Sequence, residues 1–228
     1  MSLVIPRWPA PQGVCAFSTT RDSGPGLRPD AISACPAPQL QQVHGIRAVP
    51  AEAADGEQAD AVYSTRAGVV CQVRTADCLP VLLCQRNGAA VAAAHAGWRG
   101  LAAGVLENTV AALAVDPGEL LAWIGPAISA AHYEVGPEVR EAFMDAAPAA
   151  QQTAIDAAFT PRGNRFLADL PQVARPRLQA LGIRDVYTDG RCTFADSRQF
   201  HSWRRDGQAA GRMVTGICRL PGSSGTPA

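Results

Sequence analysis

The sequence predicts an α+β domain in which a mixed β-sheet is flanked by helices. Two observations predict this class. Short apolar runs separated by Gly, Pro or polar breaks dominate the first half of the chain, and segments of helical composition alternate with further strand-like runs in the second half. The length agrees, because 228 residues of which 47% are hydrophobic and 18% charged can bury the core of one globular domain without disulfides.

The expected elements follow in chain order. Strands are expected over residues 43–49, 61–64, 68–73, 79–85 and 89–95, where apolar and β-branched side chains cluster. A helix is expected over residues 98–113, because Leu101, Val105 and Ala112 recur at helical spacing. The later elements are a strand at 121–124, helices at 136–147 and 169–181, and strands at 186–188 and 213–217. Pro176 is expected to kink or shorten the last of these helices.

The domain organisation is expected to be simple. Residues 1–220 are expected to form a single domain, and residues 22–38, rich in turn-forming residues, are expected to form a loop. The Gly-, Ser- and Pro-rich tail at 221–228 cannot bury enough apolar surface to hold itself and is expected to be disordered.

Charge, cysteine content and hydropathy exclude several classes of function. Twenty basic and twenty acidic residues cancel, so no net field attracts nucleic acid or an anionic membrane. No apolar run approaches the roughly 20 residues that span a bilayer. The seven cysteines are an odd number, and the first residues lack the basic and then apolar signature of a signal peptide. We therefore expect a cytoplasmic protein with reduced thiols.

Three residues are candidate metal ligands. His44 and His95 each end or interrupt a strand-like run close to a glycine, and Cys78 stands at the head of an apolar run. Zinc is held by imidazole nitrogen and thiolate sulfur, and a set of two His and one Cys leaves a fourth position open, which is typical of catalysis. The spacing alone leaves a second interpretation open, in which Cys78 is a buried core thiol and the imidazoles are structural.

Four further residues are candidates for substrate contact or for support of the ligands. Arg99 begins the expected helix next to His95, where its guanidinium and the free backbone N–H groups could hold phosphate, although a surface arginine is the alternative. Arg47 and Arg204 are weaker candidates for anion contact. Asp77 either orients a ligand imidazole as a supporting partner or caps a turn.

A resemblance to a known family strengthens the metal interpretation. Eight segments, in the same order along the chain, resemble the signatures of the purine nucleoside phosphorylase family once labelled laccase-domain proteins, also named polyphenol oxidase or peptidoglycan editing factor. They are residues 42–45, 75–81, 95–100, 124–128, 133–136, 192–194, 202–207 and 211–212. The resemblance covers about residues 43–217.

The resemblance implies a fold, a metal site and an activity. The implied fold is similar to the catalytic domain of cytotoxic necrotizing factor toxins. His44, Cys78 and His95 are the implied zinc ligands, with Cys78, His95 and Arg99 at the reacting centre. The implied reaction is phosphorolysis of adenosine, inosine, guanosine and methylthioadenosine, with deamination of adenosine as a second activity. The implied partners are therefore a purine nucleoside and phosphate.

Three other functions compare with zinc-dependent phosphorolysis. Cys78 and His95 could act as thiolate and general base in hydrolysis of an amide, as in the editing of a peptidoglycan precursor. A noncatalytic or substrate-shifted protein is the second alternative, because residues 13–20 lack the histidine and arginine of the family's opening and the segment before Gln42 is shortened. Copper-dependent phenol oxidation is excluded, because four histidines cannot supply both copper centres of a laccase.

Overall fold

The computed structural model describes residues 2–24 and 26–222, and the expected disordered tail lies outside the described residues from residue 223 onward. The strands are β1 Leu3–Val4, β2 Val14–Thr19, β3 Ala48–Pro50, β4 Ala61–Ser64, β5 Val70–Thr75, β6 Leu79–Gln85, β7 Val91–Ala96, β8 Leu120–Ile124, β9 Glu134–Val135, β10 Phe159–Arg162, β11 Arg165–Ala168, β12 Asp185–Thr188 and β13 Met213–Arg219. The helices are α1 Trp98–Ala103, α2 Val105–Leu113, α3 Pro137–Ala146, α4 Ala149–Asp156, α5 Leu170–Ala180 and α6 Trp203–Asp206.

The strands form three sheets, which confirms the α+β class. A six-stranded mixed sheet has the order β12-β8-β6-β7-β4-β3, with parallel pairs at its two edges and antiparallel pairs in its centre. A four-stranded antiparallel sheet has the order β1-β2-β13-β5, and a three-stranded antiparallel sheet has the order β10-β11-β9.

Strand β6 explains how the layers are held together. Val81 and Leu83 point into a core shared with helices α1, α2, α3 and α5, whereas Leu82 and Cys84 point into a second core shared with the four-stranded sheet. Both faces of this central strand are therefore buried, and its sequence is continuously apolar rather than alternating. Burial of its aliphatic side chains stabilises the fold by about 1.5–3 kcal/mol for each side chain.

The predicted elements agree with the structure in the core and differ near the candidate site. Strands β4 and β6 have the predicted bounds. The strand predicted at 43–49 is wrong over most of its length, because only Ala48–Pro50 is extended and residues 43–47 form a loop. The helix predicted at 98–113 is divided into α1 and α2 at Gly104, whose φ of 106° is left-handed.

Other elements differ from the prediction or were not predicted. Helix α5 runs through Pro176 to Ala180, so the proline does not end it. Strand β2, the sheet formed by β9, β10 and β11, and helices α4 and α6 were not predicted. Residues 22–38 form the expected loop, with one short 3-10 turn at Asp30–Ile32 in its described part. Among the described helices, none is both long and apolar enough to cross a membrane.

Candidate metal centre and substrate pocket

The three sequence-predicted ligands come together in the structure. One donor atom from each of His44, Cys78 and His95 lies within 4.8 Å of the others, and within the described residues no other group of three His, Cys, Asp or Glu side chains does so. Cys78 Sγ is 3.9 Å from His44 Nε2, and the two imidazole rings meet edge-on with centroids 4.8 Å apart. We call these three side chains the donor triad.

Strand pairing positions two members of the donor triad. Strands β6 and β7 are antiparallel, with Pro80 opposite His95. Cys78 directly precedes β6, and His95 is the next-to-last residue of β7. The start of one strand and the end of its neighbour therefore lie side by side, which brings the thiol and the imidazole to the same edge of the sheet.

His44 reaches the donor triad from a loop that the buried carboxylate of Asp60 holds in place. The backbone φ of His44 is 58°, in the left-handed region that non-glycine residues rarely adopt. Asp60 accepts the backbone N–H groups of Val43 at 3.2 Å, His44 at 3.0 Å and Gly45 at 2.6 Å. Three charge-assisted hydrogen bonds thus fix the unusual backbone conformation from one side chain.

The same carboxylate orients His95. Asp60 Oδ1 is 2.7 Å from His95 Nδ1, and both residues are buried. A proton on Nδ1 leaves Nε2 as the free donor atom of the imidazole, which is the usual arrangement of a metal-ligating histidine and its supporting carboxylate. Burial acts to raise the pKa of the Asp60 carboxyl, but the hydrogen bonds from His95 and Gly45 outweigh it and lower that pKa. Asp60 is therefore a carboxylate at neutral pH.

Asp77 does not perform the imidazole-orienting role expected as one interpretation of the sequence. Its carboxylate accepts hydrogen bonds from Thr193 Oγ1 at 2.6 Å, Ser202 Oγ at 3.0 Å and the backbone N–H of Arg204 at 2.7 Å. The imidazole-orienting carboxylate is Asp60 instead. Asp77 connects the segment that carries Cys78 to two C-terminal segments, and this connection positions Arg204 at the site.

The thiol of Cys78 and the imidazole of His95 change each other's pKa in opposite directions. Burial acts to raise the pKa of Cys78, but its contacts with His44 and His95 lower that pKa to about 6. Burial acts to lower the pKa of His95, but hydrogen bonds to Asp60 and Cys78 raise it to about 9. Between these two values the metal-free pair carries a thiolate and an imidazolium, with apparent pKa values that belong to the pair. The thiolate is the form that binds metal.

Two glycines at the start of α1 allow the helix to lie against the donor triad. A Cβ atom on Gly97 would stand 2.6 Å from His44 Cδ2, and one on Gly100 would stand 2.7 Å from the carbonyl oxygen of Gly45. Both distances are shorter than a Cβ atom tolerates, so the sequence His-Ala-Gly-Trp-Arg-Gly is explained by close packing as well as by chemistry.

The donor triad lines a cavity of about 820 Å³ whose wall carries cationic and aromatic side chains. Within the described residues, none of its four arginines forms an ion pair with an Asp or Glu side chain. The arginines are Arg74, Arg99, Arg204 and Arg212, and the aromatic residues are Trp98, Tyr133 and Trp203. Three of the guanidinium groups lie over an aromatic ring at centroid distances of 4.4 to 5.3 Å. The cavity therefore combines positive charge with flat apolar surfaces.

The structure separates the three arginines that the sequence suggested for anion contact. Arg99 and Arg204 line the cavity. Arg47 does not, because its guanidinium is paired with Glu57 at 2.6 Å and with the carbonyl oxygen of Gln58 at 3.1 Å on the exposed surface. The expectation for Arg47 is therefore corrected: its geometry is that of a surface ion pair.

Sequence reasoning missed several residues of the site. Asp60 had no recognisable signal, because it lies 35 residues before His95 in an ordinary apolar context. Trp98, Tyr133, Trp203 and Arg212 all lie inside the segments that resemble the family, so the resemblance contained a signal for them. Trp203 is 49% exposed, which is unusual for a tryptophan and marks it as a candidate contact surface.

Comparison with known proteins agrees with the resemblance. A family model described as multi-copper polyphenol oxidoreductase laccase matches residues 31–220. The chain is 44% identical to the purine nucleoside phosphorylase YfiH of Escherichia coli K12, covering 94% of this chain and 98% of the relative, and 44% identical to the purine nucleoside phosphorylase PA4543 of Pseudomonas aeruginosa, covering 93% and 96%. The alignment with YfiH spans 243 positions against 228 residues here, so the relative contains residues that this chain lacks. The crystal structure of Neisseria meningitidis NMB0706 superimposes with a TM-score of 0.86 at 39% identity, covering 96% of this chain and all of that one.

Proposed function

This chain belongs to the family described as multi-copper polyphenol oxidoreductase laccase, and from that premise we propose that it is a zinc-dependent purine nucleoside phosphorylase. The observation that carries the proposal is the donor triad at the wall of a cavity rich in arginine and aromatic side chains. The names of the relatives at 44% identity support the same activity. The substrate set that we propose is adenosine, inosine, guanosine and methylthioadenosine.

The donor chemistry of the triad fits zinc. A thiolate with a lowered pKa and two imidazoles are nitrogen and sulfur donors that suit Zn²⁺ and leave a fourth position open toward the cavity. A blue copper site adds a weak axial ligand, usually methionine, and no methionine lines the described cavity. When bound, zinc supplies Lewis-acid stabilisation of negative charge on an oxygen. We propose one zinc per chain.

The arginines and aromatic rings supply the remaining requirements of phosphorolysis. The reaction needs phosphate held against the anomeric carbon of the sugar and charge stabilised on the departing purine. Arg99 and Arg204 are cationic donors on the cavity wall that can hold phosphate, and the exposed ring of Trp203 offers a surface on which a purine can stack. Asp77 holds the Arg204 segment in place through the Arg204 backbone N–H.

Three finer points accompany the proposal. Deamination of adenosine is proposed as a second activity of the same pocket. Residues 1–220 are proposed to act as one catalytic domain, with the cytoplasm as its location. The segment before Gln42 is short, but the described residues still form an open cavity beside the donor triad, as catalysis requires.

The proposed function is tested with protein purified without chelators. Elemental analysis should find about one zinc per chain. Incubation with inosine should then release hypoxanthine and ribose 1-phosphate only when inorganic phosphate is present. Copper at the same stoichiometry would contradict the metal assignment, and base release that ignores phosphate would contradict phosphorolysis.

Replacing Arg99 by Ala is expected to weaken phosphorolysis while leaving zinc in place. The guanidinium has no ion-pair partner in the described residues and its proposed role is to hold phosphate, so kcat/KM for phosphate should fall by about 100-fold. Arg47→Ala is the matched control, because Arg47 lies outside the cavity. It should change neither the zinc content nor kcat/KM for phosphate. Equal loss of zinc and activity in Arg99→Ala would assign Arg99 to structure.

A Cys–His hydrolase is the second candidate, and one observation favours it. The lowered pKa of Cys78 would make the thiol a nucleophile at neutral pH, beside His95 as its partner. Its substrate would be an amide of an anionic molecule, such as a peptidoglycan precursor, since the cavity is rich in arginine. Metal ligation and nucleophilic attack compete for the same sulfur, so the two candidates exclude each other in a single turnover.

A further inference from the structure

A second group of nucleophilic and basic side chains surrounds Cys192, outside the cavity of the donor triad. Cys192 Sγ lies 3.6 Å from His132 Nδ1 and 3.1 Å from Ser129 Oγ. Cys192 is partly exposed and lines a separate cavity of about 640 Å³, which shares no lining residue with the first. A cavity of this size holds a small organic molecule.

The surroundings of the sulfur stabilise a thiolate. Ser129 donates twice to Cys192 Sγ, from its hydroxyl at 3.1 Å and from its backbone N–H at 3.3 Å. The backbone N–H groups of Phe194 and Ala195 donate as well. Burial acts to raise the pKa of Cys192, but these donors outweigh it and lower that pKa. Cys15, the other partly exposed thiol outside the donor triad, has its pKa raised by burial.

The imidazole of His132 is held in a position to exchange a proton with the thiol. Its ring stacks on Phe194 with centroids 4.6 Å apart and 22° between the planes. Ser129 Oγ is 3.3 Å from the same Nδ1 atom that faces the sulfur. The thiol, hydroxyl and imidazole therefore form one local group, in which the imidazole is stacked on Phe194.

The lining of the cavity next to Cys192 presents one guanidinium without an ion-pair partner among the described residues. Two arginines line it, Arg191 and Arg198. Arg191 is held by a bidentate ion pair with Asp189 at 2.7 Å, whereas Arg198 is exposed and forms no ion pair within the described residues. The carboxylate of Asp196, the acidic residue of the lining, accepts the backbone N–H of Gln199 at 3.0 Å. The free guanidinium of Arg198 is thus available to a carboxylate on a bound molecule.

We propose that Cys192 is a thiol–disulfide exchange site for a small disulfide that carries carboxylates, with the transferred half lodged in the cavity beside Arg198. The Cys192 thiolate attacks one sulfur of the disulfide R–S–S–R. The S–S bond of the reagent breaks, a new Cys192–S–S–R bond forms, and the other half leaves as R–S⁻ and takes up a proton. The sulfur of Cys192 is oxidised and the departing sulfur is reduced, so no further oxidant is required. His132 accepts the proton of any fraction that starts as the neutral thiol.

The test measures which cysteines of the intact protein react with oxidised glutathione near pH 7. Peptide mass spectrometry over a time course scores each cysteine on its own peptide, so that reaction at Cys78 is counted separately. A mixed disulfide should accumulate at Cys192 well before Cys15, and reduction with a dithiol should remove it. Cystamine, a cationic disulfide of similar reactivity, should react at Cys192 more slowly than oxidised glutathione does.

Two variants distinguish a built site from an accessible thiol. Arg198→Glu, on the exposed surface, should slow the reaction with oxidised glutathione and speed the reaction with cystamine, whereas Arg66→Glu, at another exposed arginine, should change neither. Ser129→Ala should slow both reactions, because the thiolate loses one donor. Modification of Cys192 no faster than Cys15 in protein that is still folded would overturn the proposal, and equal rates for the two reagents in parent and Arg198→Glu would overturn its anionic specificity.

Discussion

Replacing Asp60 by Asn is expected to lower zinc affinity by about 10- to 100-fold, the range that loss of a supporting carboxylate typically costs. Both oxygens of Asp60 accept hydrogen bonds, Oδ1 from His44 and His95 and Oδ2 from Val43 and Gly45. The Asn side chain has only one acceptor oxygen. Its NH₂ group must therefore face one of these two pairs of N–H donors, and that pair loses its hydrogen bonds. The variant therefore loses the orientation of His95, of the His44 loop, or of both.

The same substitution is expected to lower the free energy of unfolding of the metal-free protein. Each buried donor left without a partner costs about 1–3 kcal/mol. Chemical denaturation of chelated protein measures this cost, and a competition assay with a chromophoric chelator measures zinc affinity. Asp77→Asn is the matched control: it alters a buried carboxylate of the same cavity that contacts no imidazole, so it should cost stability with a much smaller loss of zinc affinity. An unchanged zinc affinity in Asp60→Asn would contradict the supporting role.

The core of this fold could be predicted from sequence because its central strands are buried on both faces. Strand β6 is a run of apolar residues bounded by Asp77-Cys78 and Arg86-Asn87, and its predicted limits match the structure. The prediction was wrong where long-range hydrogen bonds override local preference. Residues 43–47 contain two β-branched residues and resemble a strand, yet the carboxylate of Asp60 draws three consecutive N–H groups into a loop.

The candidate site could be predicted only in part for the same physical reason. His44, Cys78 and His95 were identified by residue type, strand ends and resemblance. None of these signals gives the distance between two side chains in the folded protein. The imidazole-orienting role suggested as one interpretation of Asp77 belongs to Asp60, for which the sequence suggested no role, because proximity to Cys78 along the chain does not decide which carboxylate faces an imidazole. What decides it is the hydrogen bonding of Asp60, directly before β4, to the loop that carries His44, a contact that spans 16 residues of the chain.

Zinc affinity is expected to rise with pH between about 6 and 9. In this window the metal-free pair holds one proton, on His95, because the pKa of His95 is raised to about 9 and that of Cys78 is lowered to about 6. Zinc must displace that proton, so apparent affinity should increase by about tenfold per pH unit. Below pH 6 Cys78 is protonated as well, and the dependence should steepen. Competition titrations from pH 6.5 to 8.5 measure the slope, and a flat profile would contradict the thiolate–imidazolium pair.

Removal of metal is expected to distinguish zinc-dependent phosphorolysis from hydrolysis by Cys78 and His95. Its effect on activity is the largest that we predict for this protein. If the donor triad acts through zinc, chelation should lower phosphorolysis by at least about 100-fold, since a Lewis acid is worth several kcal/mol of charge stabilisation, and added zinc should restore it. Cys78→Ser should lose both zinc and activity, whereas Cys15→Ser, which alters a partly exposed thiol away from the triad, should lose neither.

Loss of activity in Cys78→Ser alone does not decide between the candidates, because a nucleophilic thiolate and a ligating thiolate are both removed by it. The metal-free parent protein decides, since its Cys78 is a thiolate above pH 6 and is then free to attack. The zinc enzyme should be inactive in this state and insensitive to iodoacetamide once zinc is restored, because ligation occupies the sulfur. Full activity of the metal-free protein, with a covalent adduct on Cys78 during turnover, would transfer the assignment to a cysteine hydrolase.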